Sequence, residues 1–216
     1  MVWSPALPSV LALGIAGVFG VLAIIGWRRR EERCAGAFVG LTTAFAFWSL
    51  CYGFQLGFTT AGEQLGWWRA GLVFGSLVAP AWVLFGLRYA GKDEWITPNA
   101  VVLLFAEPVA YAMLVSTNDT HHLIWSSIGF QSGHMFAPYA PTLAVCYYLN
   151  VAVHYMLISF GLFLLVGTGY PSLGLYRRQA ITLLLTTVPA IVANISFPLR
   201  RSPVPGVDLP PSASVF

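Results

Sequence analysis

The chain has 216 residues, of which 57% are hydrophobic and only 9% are charged, and its formal net charge is +3. A soluble globular domain carries about 25% charged residues, so this composition excludes an ordinary soluble domain and indicates a multi-pass protein of the lipid bilayer. The small net charge, spread over short clusters, also argues against nucleic acid as a partner. The cysteines, Cys34, Cys51 and Cys146, form no CxxC pair, so neither a disulfide framework nor a zinc ribbon is expected.

Six stretches of the chain are apolar and long enough to cross a membrane. A helix rises about 1.5 Å per residue, so about 20 residues cross a hydrocarbon core of about 30 Å. No segment alternates polar and apolar residues, so membrane-spanning strands are not expected. The pattern predicts an all-α, polytopic transmembrane helix bundle with spans at 8–27, 35–57, 69–87, 97–115, 142–166 and 179–199.

The basic residues indicate how the spans are oriented. Most of the 11 Lys and Arg residues lie in the first, third and fifth connections between spans. Cytoplasmic connections carry the excess of basic residues, so we expect these three in the cytoplasm. The N-terminus, the C-terminus after six spans, and the fourth connection with its stretch STNDTHHLIW (116–125) are then expected outside the cell.

Two ionisable side chains lie deep inside predicted spans: Glu107 in the fourth and His154 in the fifth. Ionisable groups are costly inside a bilayer and mark functional sites by default. Because consecutive spans are antiparallel, we expect both groups near the middle of the membrane as an intramembrane polar pair. The pair is either a proton site or an interhelical hydrogen bond that holds the bundle together.

A second group of polar and aromatic side chains is predicted toward the outer side. A few convergent polar groups in an apolar wall are typical of a pocket for a small ligand, which would enter here from outside. Alternatively, Asn118 and Asp119 cap the fourth helix, and Trp125 anchors the chain at the membrane interface. Capping does not explain the adjacent histidines. The candidate binding or sensing residues are Gln55, Arg69, Asn118, His121, His122, Trp125, Asn150 and Asn194.

The sequence predicts no catalytic site, no metal site and no cofactor. Adjacent histidines point apart in regular structure, and no HExxH or Cys/His spacing is present. Gly-x-Gly-x-x-Gly, P-loop and nucleophile-elbow patterns are also absent. A small transporter or proton-linked carrier that uses Glu107 and His154 is the alternative function, although no convincing internal repeat supports a transporter built from inverted halves.

Four stretches of the chain carry recognisable motifs. They are FWSLCYGFQLG (47–57), RAGLVFGSLVAPAWVLFGLRYAGKDEW (69–95), EPVAYAMLVSTNDTHHLIW (107–125) and YRRQAITLLLTTVPAIVANISF (176–197). In order, they resemble the second, third, fourth and sixth helices of the N-terminal seven-helix membrane region of prokaryotic, chiefly haloarchaeal, sensor histidine kinases. The fourth helix of that family ends in a similar TN-x-x-H-x-L-x-W pattern.

The resemblance implies that residues 1–210 are a sensor-type bundle, the signal-input domain of a two-component histidine kinase. It places Asn118, His121 and Trp125 at motif positions of the family. In the family a seventh helix follows and leads to the kinase, whereas here residues 211–216 form a short tail. We therefore expect a truncated or fragment form without a seventh helix or kinase activity of its own, and the resemblance favours a homodimer.

Overall fold

The computed structural model describes residues 3–4, 6–130 and 139–169. It confirms the all-α, polytopic bundle. Among the described residues, five helical segments are long and apolar enough to cross a membrane, and the predicted span at 179–199 lies outside these residues. The helices are α1 (Leu7–Arg28), α2 (Ala35–Gly57), α3 (Ala61–Ser76), α4 (Val78–Tyr89), α5 (Pro98–Ser116), α6 (Asn118–His121) and α7 (Val145–Gly169).

The predicted boundaries of the first, second and fourth spans agree best with the helices of the structure, α1, α2 and α5. The third span starts earlier than expected, because α3 begins at Ala61 and continues into α4. Its first turn contains Glu63, which lowers the hydropathy but is favourable at a helix N-terminus. The hydroxyl of Thr60 donates to this carboxylate at 2.5 Å. Polar residues in the first turn therefore hid the true start of the helix.

The connection between α5 and α7 contains a hairpin that the sequence did not predict. Strand β1 (Trp125–Phe130) pairs in antiparallel register with β2 (Tyr139–Leu143), with an irregularity between Trp125 and Ser127. The hydroxyl of Ser127 donates to that of Thr142 at 2.9 Å. Because β2 occupies the start of the predicted fifth span, α7 begins only at Val145.

Small residues bring the helices close together. The buried Ser9 hydroxyl of α1 donates to the Gly53 carbonyl oxygen of α2 at 2.8 Å. Between α4 and α7, a Cβ on Gly86 would lie 3.2 Å from the carbonyl oxygen of Gly161, and a Cβ on Gly161 would lie 2.5 Å from the Trp82 ring. Helix association in lipid relies on this kind of close van der Waals packing rather than on a hydrophobic driving force.

The third span is interrupted at Leu77, between α3 and α4. Pro80 has no N–H, so it cannot donate to the carbonyl oxygen of Ser76 as a residue in a continuous helix would. At the break, the N–H of Leu77 donates to the carbonyl oxygen of Phe74, three residues earlier, at 3.2 Å. The carbonyl oxygen of Ser76 is therefore available to a donor from another helix.

Contacts at the helix ends define two faces of the bundle. At the first, here called the N-terminal face, the N–H of Ser4 donates to the Gly57 carbonyl oxygen at 3.0 Å, which joins the start of α1 to the end of α2. At the opposite face, Nε of Arg33 and Nη1 of Arg88 donate to the two carboxylate oxygens of Asp93, each at 2.9 Å. The connection between α1 and α2 is thereby tied to the connection between α4 and α5.

Candidate functional site

The segment Thr117–Trp125, which follows α5 at the N-terminal face, is folded around the side chain of Asn118. Asn118 is fully buried. Its amide nitrogen donates to the carbonyl oxygen of Trp125 at 2.9 Å, and its amide oxygen accepts the N–H groups of Ile124 and Trp125 at 2.8 and 3.3 Å. The amide of Asn118 is therefore occupied by the backbone of its own loop.

Arg69 fastens this segment to α3. Its Nη2 donates to Oδ1 of Asp119 at 2.7 Å, and its Cζ lies 5.1 Å from the centre of the Trp125 ring. Trp125 is only 3% exposed and packs edge-on against Trp68 of α3, with ring centroids 5.0 Å apart. Trp125 is thus a packed core residue in the described structure. We call Arg69, Asp119 and Trp125 the Arg69 clamp.

The adjacent histidines occupy different environments. Nδ1 of His121 accepts the N–H of Leu123 at 3.0 Å, so its proton is on Nε2, which lies 3.1 Å from the Thr117 hydroxyl. That hydroxyl donates to the carbonyl oxygen of Met113 at 2.7 Å, which links His121 back to α5. His122 is exposed and has left-handed backbone angles, with φ 54°. The chain therefore turns at His122 after the single turn of α6.

A second polar cluster lies inside the bundle, at the middle of α5. The amide nitrogen of Asn150 on α7 donates to Oε1 of Glu107 at 2.5 Å. His154 lies one turn further along α7, with Nδ1 2.9 Å from the carbonyl oxygen of Asn150. Nε2 of His154 lies 3.1 Å from the carbonyl oxygen of Ser76, the one left free by Pro80. We call Glu107, Asn150, His154 and Ser76 the Glu107 network.

Two buried oxygen atoms, one in this network and one next to it, have no hydrogen-bond partner among the described residues. They are Oε2 of Glu107 and the hydroxyl oxygen of Tyr111. The two residues are four positions apart on α5, so their side chains lie on the same face of the helix. A buried polar group without a partner is costly, and this position is therefore suited to a water molecule or another small hydrogen-bonding species.

The structure groups the predicted residues differently from the sequence analysis. Asn150 belongs with the Glu107 network rather than with the outer set, and it bridges Glu107 to the turn that carries His154. Gln55 is buried on α2, and Asn194 lies outside the described residues. Arg69, Asn118, His121 and Trp125 do come together at the N-terminal face.

Sequence analysis missed the contribution of Ser76, although a signal was present. A proline deprives the carbonyl group four residues earlier of its helical donor, so Pro80 marks Ser76 as an acceptor. Nothing in the sequence pattern indicated the ion pair between Arg69 and Asp119, which depends on how α3 packs against the end of α5. Within the part of the chain that the structure describes, no three His, Cys, Asp or Glu side chains come together as metal ligands.

Comparison with known proteins agrees with the resemblance of the four motifs. The model of the family described as the N-terminal 7TM region of histidine kinase matches residues 11–216. No curated protein and no solved structure matches the chain significantly. The family match covers nearly the whole chain, and five described helices have the length and apolarity of membrane spans. The chain is therefore a multi-pass membrane protein and belongs to the family of N-terminal 7TM regions of histidine kinases.

Proposed function

We propose that the chain is the signal-input region of a two-component histidine kinase and that it senses a small polar ligand at the N-terminal face. In this proposal the N-terminal face lies outside the cell, which agrees with the basic residues of the opposite connections. The region itself carries out no catalysis, since kinase activity belongs to a separate domain in histidine kinases. It acts as a homodimer embedded in the lipid bilayer.

The Arg69 clamp is the observation that carries this proposal. It joins the loop with the family-like motif to α3, and its ion pair is accessible to water, because 29% of the Arg69 side chain and 67% of the Asp119 side chain are exposed. An exposed ion pair contributes about 0–1 kcal/mol, so a ligand with modest affinity for either partner is sufficient to open it. Differential binding of that size shifts a two-state equilibrium by up to about fivefold.

The test measures autophosphorylation of the complete gene product in inverted membrane vesicles. Arg69→Gln should change the rate severalfold, because the loop is no longer held on α3, while the amount of protein in the membrane stays the same. Arg28→Gln is the matched control, because it removes a positive charge from the end of α1 at the opposite face. Equal rates in the wild type and Arg69→Gln would remove the clamp from the mechanism. A complete product without kinase activity, alone or with other kinases of the cell, would contradict the input role.

Oε2 of Glu107, which has no hydrogen-bond partner among the described residues, favours a second candidate, a proton-linked carrier. A carboxylate inside a span with one free oxygen is a group through which a proton is exchanged in transporters. This function requires substrate flux in proteoliposomes that depends on a pH gradient and disappears in Glu107→Gln. The absence of flux for a broad panel of small solutes would argue against a carrier.

A further inference from the structure

We infer that the Glu107 network is a proton-binding site and that the bound proton fixes α7 to the break between α3 and α4. The ligand is the proton itself, held on His154. The site follows from the geometry of the network, whereas its use as a stimulus rests on the proposed signal-input function.

The first step is the acceptor that Pro80 creates. A continuous helix would place an N–H at position 80 against the carbonyl oxygen of Ser76, and proline removes it. Ser76 is buried, and its hydroxyl donates to the carbonyl oxygen of Val73 at 2.7 Å. A buried carbonyl group requires a donor, and Nε2 of His154 lies 3.1 Å from it.

The second step is the hydrogen-bonding capacity of the imidazole. Both ring nitrogens of His154 face backbone carbonyl oxygens, at 2.9 Å for Asn150 and 3.1 Å for Ser76. Carbonyl oxygens accept hydrogen bonds and cannot donate them, and a neutral imidazole has a single N–H. In either neutral tautomer, therefore, the second ring nitrogen places its lone pair against a carbonyl oxygen, and no hydrogen bond forms there. Only the imidazolium ion donates to both carbonyl groups. The geometry of the site therefore matches the protonated ring.

The third step is the compensation of the positive charge. Glu107 on α5 supplies a carboxylate, connected to the same turn of α7 through the amide of Asn150. The other titratable groups around Glu107 and Tyr111 are the phenols of Tyr111, Tyr147 and Tyr155 and the thiol of Cys146. By sequence, α2 and the stretch 70–87 of α3 and α4 contain no Asp, Glu, Lys, Arg or His. A cation inside a membrane span requires a compensating charge, and Glu107 is the acid placed to provide it.

Loss of the proton would change the contacts between helices. A neutral His154 keeps a hydrogen bond to only one of its two carbonyl partners. The bond to Asn150 lies within α7, whereas the bond to Ser76 joins α7 to the interrupted span. Deprotonation therefore either leaves the Ser76 carbonyl group without a donor or places two acceptors in contact within α7. In the first case α7 loses its attachment at the break, and in the second the ring keeps the bond to Ser76 but is repelled by the carbonyl oxygen of Asn150.

The proposal is tested by ¹⁵N NMR of histidine rings in the full chain, reconstituted in lipid nanodiscs, between pH 5 and 8.5. The chain has four histidines, and His154→Gln assigns the signal. We expect His154 to change from imidazolium to neutral imidazole within this range. A ring that stays neutral, or one that stays cationic, at every pH would overturn the proposal.

Two variants sharpen the test. Glu107→Gln keeps the hydrogen-bonding shape but removes the charge, so the ratio of protonated to neutral His154 at pH 6 should fall about tenfold. Pro80→Ala supplies an N–H for the Ser76 carbonyl group and should lower the ratio without changing any charge. His122→Gln, at the exposed turn, is the matched control and should leave the His154 signal unchanged. Wild-type ratios in both network variants would overturn the proposal, and unchanged signals from the other histidines verify folding.

Failure of the proton site and failure of the input role give different results. If His154 titrates as expected but kinase output does not respond to pH, the proton site is correct and its role as a stimulus is not. If kinase output responds to Arg69→Gln while His154 does not titrate, the input role is retained and the proton site is rejected.

Discussion

The Arg69 clamp and the Glu107 network both join helices through ionisable side chains and their hydrogen-bond partners, but they do so in different surroundings. The clamp lies at the N-terminal face, where both members of its ion pair are partly exposed. The network lies at the middle of α5, about 14 Å from either end of that helix. There Glu107 accepts a hydrogen bond from an amide, and His154 faces two backbone carbonyl groups. Water competes with the first set of contacts, whereas the second set lies within apolar spans. The clamp is therefore weak and exchangeable, whereas loss of a contact in the network is costly.

Asn150→Leu should have the largest effect on the free energy of unfolding, because it leaves both oxygens of Glu107 without a hydrogen-bond partner among the described residues. A hydrogen bond to a charged group contributes about 1.5–3 kcal/mol, and the stranded carboxylate raises the expected loss to about 3 kcal/mol. The measurement is the free energy of unfolding in mixed micelles of a mild detergent and SDS. Leu149→Ala, at an exposed apolar position on the same helix, is the control and should cost much less. Equal losses in the two variants would show that the network is no stronger than ordinary lipid-facing packing.

Asn118→Ala should have the next largest effect. It should lower the free energy of unfolding by about 2 kcal/mol, because three hydrogen bonds to the loop backbone disappear. The loss should be local. Hydrogen exchange of the Ile124 and Trp125 amides should accelerate strongly, while amides in the middle of α2 remain protected. Asn118→Asp retains the accepting oxygen and should show a smaller acceleration. Unchanged exchange at Ile124 in Asn118→Ala would mean that the fold of the loop does not depend on this amide.

Arg69→Gln should change the free energy of unfolding by less than about 1 kcal/mol, since exposed ion pairs contribute little. Its effect should also shrink as salt is raised from 0.05 to 0.5 M, because salt screens exposed charges. The Debye length is about 10 Å at about 0.1 M salt, which lies between these two concentrations. A loss of several kcal/mol that is insensitive to salt would show that the clamp is as protected as the Glu107 network.

Protonation of Asp93, at the opposite face, should have the smallest effect. The hydrogen bond from Arg33, together with the positive charges of Arg33 and Arg88, lowers the pKa of Asp93 below its ordinary value. A carboxyl group with a lowered pKa stabilises the folded state fully above its ordinary pKa, near 4. That contribution is lost as the pH falls through the lowered pKa. The protection of the Trp95 amide against hydrogen exchange, taken relative to the intrinsic exchange rate at each pH, should therefore fall between pH 4.5 and 2.5, and it should fall less in Asp93→Asn. Identical pH profiles would remove Asp93 as the cause.

Hydropathy predicted much of the fold, because burial in lipid requires long apolar helices regardless of their neighbours. It failed where local sequence and tertiary context disagree. Glu63 and Gln64 concealed the first turns of α3, and the hairpin after α5 depends on pairing between segments that are apart in the sequence. Glu107 and His154 were found because an ionisable residue in an apolar run is conspicuous. Depth alone placed Asn150 in the outer set, whereas its amide contacts Glu107 and its spacing of four from His154 places both on one helical face.

The contact between Gly86 and Gly161 has a mechanical consequence for α7. The backbones touch there, and Trp82 covers Gly161 while its indole nitrogen donates to the carbonyl oxygen of Ile158 at 3.2 Å. A tilt of α7 that preserves this contact must use it as a fulcrum. His154 lies about 10 Å before the fulcrum and the end of α7 at Gly169 about 12 Å beyond it, at about 1.5 Å per residue. Release of His154 from Ser76 would then displace the far end of α7 by a similar distance in the opposite direction, as in a lever with nearly equal arms.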